Sequence, residues 1–158
     1  MHTFYVRRRK KMNQLDLLGS DLKTEFLNDL FEAYDVEVIY EYDRTYENLP
    51  DSFTAAIPKL GLEFIFDENQ KLKTLFWTQV KVESFNPFTH DDRKVKIFDT
   101  KEECLRYAET NGLKASDGSG IFMDEEREWI RIENSNHSIH YEFVDTKLKM
   151  ITLQKGNA

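Results

Sequence analysis

Two segments, Leu62–Val82 and Ile139–Leu153, each run apolar residues into a short polar turn and out again, and nothing else in the chain constrains its fold as much. In the first, Leu62, Phe64 and Phe66 lead into Asp67-Glu68-Asn69-Gln70, and Leu72, Leu75, Phe76, Trp77, Val80 and Val82 follow. In the second, Ile139–Val144 and Leu148–Leu153 flank Asp145-Thr146-Lys147. Strand side chains alternate between faces, so such runs bury one face when neighbouring strands pair antiparallel across the turn. The segments also resemble each other. FDENQKLKTLFW from Phe66 and FVDTKLKMITL from Phe143 share Phe, a polar turn, Lys-Leu-Lys and, one residue on, an aliphatic side chain. Duplication produces such a likeness, and so does the limited menu of amphipathic hairpins.

The rest of the chain sorts around these hairpins. Ser20 is an N-cap residue type with Asp21 after it, and Leu22, Phe26 and Leu30 beside Leu27, Phe31 and Tyr34 make an apolar stripe, which predicts a helix over Ser20–Tyr34. Val36–Tyr42 is β-branched and aromatic and reads as a strand. Asp43–Pro58 and Ser84–Arg93 read as loops, and Val95–Phe98 as a short strand. Lys101–Thr110 reads as a helix capped by Asp99 or Thr100 and stopped at Asn111-Gly112, with Lys114–Gly120 a flexible loop beyond it. Trp129, Ile130 and Ile132 open a further strand, and Trp129 is expected to be largely buried. The expected fold is α+β: a mostly antiparallel sheet of about six to eight strands packed with two helices, in a single domain over residues 12–158.

Charge sets what such a domain can bind. The 158 residues hold 22 Lys+Arg against 29 Asp+Glu, a formal charge of −7. Met1–Lys11 (MHTFYVRRRKK) contributes five basic residues and no acid, so the remainder carries 17 against 29, or −12. The basic stretch reads as an ancillary tail, because no apolar segment of a secretory signal follows its charges. An acidic body is a poor general ligand for nucleic acid, which is held by releasing phosphate counterions to basic side chains. No run approaches the ~18 apolar residues of a membrane span, and the expected location is cytoplasmic.

Catalytic signatures are missing. There is no Gly-x-Ser-x-Gly elbow, and Asp117-Gly118-Ser119-Gly120 lacks the Lys and the helix of a phosphate loop. His137 and His140 are three apart in a strand-like segment, which puts them on opposite faces rather than round a metal. Cys104, the single cysteine, sits on the apolar face of its helix and reads as an inert buried thiol. No catalytic, metal or cofactor residue is assigned. The acidic residues are the better lead: they gather at Glu32–Glu47, at Asp91-Asp92 and at Asp124–Glu128. Opposed potentials steer a basic partner onto such surfaces.

GLEFIFDENQKLKTLFW at Gly61–Trp77 resembles the opening hairpin of small immunity proteins that protect bacteria from polymorphic or contact-dependent toxins, and EWIRIENSNHSIHYEFVDTKLKMITLQ at Glu128–Gln154 is similar in kind. The resemblance covers roughly residues 58–154. It implies an inhibitor, with no catalysis of its own, that binds one cognate and basic, nuclease-type toxin domain. The expected contact residues are Asp124, Glu125, Glu126, Glu128, Asp91, Asp92, Glu41, Asp43 and Glu47. Two other readings stay open: an adaptor for a different host protein, and a small hydrolase or ligand-binding domain using a pocket beside the sheet.

Overall fold

In the computed structural model, residues 5–6, 10–11, 13–42, 48–89 and 94–156 are described. Strands β1 (Tyr5–Val6) and β2 (Lys10–Lys11) pair antiparallel in a short ribbon outside the main sheet, and β1 runs beside the first helix. After a 3₁₀ turn at Gln14–Leu17 come helix α1 (Glu25–Ala33), strands β3 (Ile39–Glu41), β4 (Ser52–Ile57), β5 (Leu62–Phe66) and β6 (Leu72–Thr78), helix α2 (Lys101–Thr110), and strands β7 (Lys114–Phe122), β8 (Glu125–Glu133), β9 (His137–Val144) and β10 (Lys147–Lys155). The last eight strands form one antiparallel sheet in the order β3-β4-β5-β6-β10-β9-β8-β7. The expected α+β architecture is therefore the observed one.

That order is a pattern stated twice. Each half is a helix followed by a four-strand meander, and the halves meet edge to edge where β6 pairs with β10. The join is symmetric: Trp77 faces Ile151 while Leu75 faces Leu153. Each closing hairpin carries a register shift at its Lys-Leu-Lys, between Ile65 and Phe66 opposite Leu72 in one and between Leu148 and Met150 in the other. Both helices end alike as well. Val36 N–H donates to Phe31 C=O and Asp35 N–H to Glu32 C=O, as Leu113 does to Ala108 and Gly112 to Glu109. Asp35 and Gly112 hold φ of 55° and 61° in this Schellman closure. The hairpin likeness in the sequence thus extends to whole α-β-β-β-β units related by a local two-fold.

One sheet face is buried. Leu62, Phe64, Phe66, Leu75, Trp77, Ile130, Ile132, Ile139, Tyr141, Phe143, Ile151 and Leu153 line it. Phe31 of α1 meets Phe64 and Phe66 edge-on, with centroids 5.2 and 6.3 Å apart, while Cys104 and Ala108 of α2 cover the other half. The connection from β6 to α2 seals the middle: Phe88 packs on Trp77, and Phe98 on Tyr107 and Tyr141. Gly61, at φ 76°, admits that segment, because a Cβ there would lie 2.0 Å from Asn86 O.

Five sequence-based expectations need correction. Helix α1 begins at Glu25, not Ser20, because the hairpin claims the upstream backbone: Gly19 N–H donates to Leu72 C=O, Leu72 N–H to Ser20 C=O, and Leu22 N–H to Gln70 C=O. The supposed loop before Pro58 holds β4, whose Phe53, Ala55 and Ile57 pair with β5. The strand expected at Val36–Tyr42 is ordered as such only over Ile39–Glu41. Val95–Phe98 is no strand; it crosses the sheet face, burying Val95 and Phe98, and Lys96 C=O accepts from the Tyr141 hydroxyl at 2.8 Å. Lys114–Gly120 is not a loop but most of β7, paired with β8 through nine consecutive positions.

Candidate partner-binding surface

The anticipated carboxylates do not form one surface. Asp43, Glu47, Asp91 and Asp92 lie outside the described residues. Of the others, Glu41 sits on β3 at one edge of the sheet, and Asp124, Glu125, Glu126 and Glu128 sit at the β7–β8 turn at the other. Alternating strand directions send the β3 end and the β7–β8 turn to opposite corners of a sheet about 34 Å wide.

The cluster at Asp124–Glu128, the densest in the sequence, is divided by the fold. Glu125 faces the open side and pairs with Arg127 at 3.1 Å, and Arg127 also reaches Glu142 at 3.2 Å. Glu128 turns to the helix side, half-buried, with Lys101 Nζ at 3.9 Å. Only Asp124 and Glu126 remain exposed without a described ion pair. Alternation on a strand, which the bare sequence run conceals, is the reason.

The β3 corner is different. Val38, Ile39, Tyr40, Tyr42 and Leu49 are exposed, Ile39 and Leu49 at 57% and Tyr42 at 54%. Tyr40 stacks on Phe53 with centroids 5.0 Å apart and tilts against Tyr42 at 5.9 Å. Its hydroxyl donates to Asp51 at 2.5 Å, which raises its pKa. On the open face of the same corner, burial and then the neighbouring Glu41 push the Glu63 carboxyl above its usual range.

Beside this patch lies a hollow of about 360 Å³ lined by Leu22, Lys23, Asn28, Phe31, Glu32, Asp35, Val36 and Val38. It opens at the C-terminal end of α1, where the helix dipole favours a cation. The last turn of α1 has no basic residue, and Glu32 and Asp35 add negative charge there. Apolar walls, two carboxylates against the single ammonium of Lys23, and a negative helix end suit the stem and head of a lysine or arginine. The sequence marked Glu32–Glu47 as acidic but gave no sign that a hollow adjoins it.

A second hollow of about 360 Å³ lies under α2, lined by residues including Lys94, Lys96, Tyr107, His137 and Tyr141. Burial and the Lys94 charge lower the His137 pKa. Cys104 is fully buried and its thiol is pushed up to about 12, as expected of a packing residue. Among the described residues no group of three or more His, Cys, Asp or Glu could hold a metal ion, and no helix is long and apolar enough to cross a membrane. Comparison with protein families, curated proteins and solved structures returned no match.

Proposed function

We propose that this chain is an inhibitory binding protein of the immunity type, which neutralises a basic toxin domain by holding it at the β3 corner. The observation that carries this reading is the juxtaposition of exposed Ile39, Tyr40, Tyr42 and Leu49 with the carboxylate-walled hollow at the end of α1. Interface energy concentrates where aromatic and apolar anchors meet a pocket for a charged side chain. The Glu63 carboxyl, raised by burial and then by Glu41, gains from an approaching cation. A basic side chain seated between Glu32 and Asp35 gives the complex both its orientation and its salt dependence.

The test is protection. The gene immediately upstream should encode a basic domain that kills cells expressing it alone. Co-expression of the wild-type chain should restore growth, and the triple variant E32K/D35K/E41K should not, while still unfolding in one cooperative transition. A harmless upstream product, or protection indifferent to the variant, contradicts the proposal.

A further inference from the structure

The opposite edge of the sheet is built differently from the β3 edge. Natural edge strands are kept short, or guarded by free charges, prolines or bulges, so that they do not pair with other chains. Strand β3 obeys this with three residues. Its counterpart in the second half, β7, has nine residues, no proline and an unbroken register with β8. Its two charges are both tied within the molecule: Lys114 to Glu133 at 3.1 Å and Asp117 to Lys101 at 2.9 Å. At its end Ile121 and Met123 are 81% exposed, and Phe122 61%.

We propose that β7 pairs with β7 of a second copy of this chain, antiparallel about a two-fold axis at Gly118, joining two eight-stranded sheets into one. The sequence of β7 is compatible with its own reverse in that register. Ala115 faces Ile121, Lys114 faces Phe122, Asp117 faces Ser119 and Ser116 faces Gly120, so no like charges oppose. The contact therefore covers the apolar end of the hairpin, which the single chain leaves in water. Helix α2 packs chiefly on β8 and touches β7 as well, where Lys101 reaches Asp117 and the Gly118 carbonyl at 2.9 and 3.4 Å. The occupant is a second copy because this register lays the exposed Ile121 on Ala115 without opposing like charges.

This inference does not depend on the toxin reading, and salt separates the two. Each copy carries −7, so screening should strengthen self-association, whereas the contact with a basic partner should weaken. Sedimentation velocity from about 5 to 200 μM should show a concentration-dependent species of twice the chain mass, favoured at higher salt. The variant S116K/G120K, which opposes lysines at two positions, should lower the association constant at least tenfold without changing the melting temperature. Under mild oxidation S116C/G120C should give a reducible covalent dimer, and K114C/S116C, whose cysteines face none in this register, should not. A monomer throughout the range overturns the proposal. So does a dimer that tolerates S116K/G120K and resists register-specific cross-linking.

Discussion

Gly118 lies directly under the Trp129 indole: a Cβ at position 118 would come within 2.7 Å of the ring. The pair is cross-strand, on the open face of the β7–β8 ladder, and the indole stacks in turn on His140 at 5.5 Å. What reads in sequence as loop glycine is the floor on which a tryptophan rests. G118A should destabilise the fold by ~1–3 kcal/mol through overpacking. G120A, where a Cβ meets nothing within 4 Å, should cost far less. Urea denaturation of both variants measures the difference, and equal losses would show that the indole moves aside freely.

The two tryptophans should respond unequally, because they lie on opposite faces of the sheet. Trp77 is 0% exposed at the centre of the buried face, whereas Trp129 is partly buried on the open face, between Gly118 and His140. W77A should cost ~3–5 kcal/mol, and W129A clearly less. A melting temperature that falls as far for W129A as for W77A would contradict this placement.

The placement of these residues shows where the sequence could and could not be read. The apolar rows at Leu62/Phe64/Phe66, Ile130/Ile132 and Ile139/Tyr141/Phe143 were legible, because a half-buried strand prints its face as a two-residue period. Helix α2 was legible from its ends: Thr100 Oγ1 accepts from Glu103 N–H, and Gly112 closes the C-terminus. The edge strand β7 escaped, and so did β4. Strand β7 has few apolar residues because it has little to bury, so its composition is that of a loop. Trp129 precedes two core isoleucines, yet Ile130 and Trp129 are adjacent and must face opposite ways. The acidic runs were visible, but their division between faces, and the hollow at the end of α1, depend on contacts distant in sequence.

Stability should fall as the solution is acidified below neutrality. His137 and His140 have pKa values held below the ordinary 6.5, both mainly by burial, with Lys94 adding to the effect on His137. At His140, Glu142 opposes the shift and Arg131 supports it. Below about pH 6.5 the unfolded chain binds these protons before the folded one, so stability is lost as pH drops through that value. H140Q should flatten the fall between pH 7.5 and 5.5 in a series of denaturation midpoints. An unchanged slope would mean that His140 titrates alike in both states.

Gly112 ends α2 at φ 61° with open space around its Cα, so a side chain there meets backbone strain and no collision. G112A should cost ~1–2 kcal/mol, read from the same denaturation curves. A neutral result would mean that the Schellman closure relaxes without consequence.

The central claim is that the β3 corner, rather than the denser acidic run at the β7–β8 turn, holds a basic toxin domain. Calorimetric titration of the upstream-encoded domain into three proteins decides it: wild type, E32K/D35K/E41K and D124K/E125K/E126K. Affinity should fall at least a hundredfold for the first variant, change less than tenfold for the second, and decline for the wild type as salt rises. Loss of binding confined to D124K/E125K/E126K would contradict it.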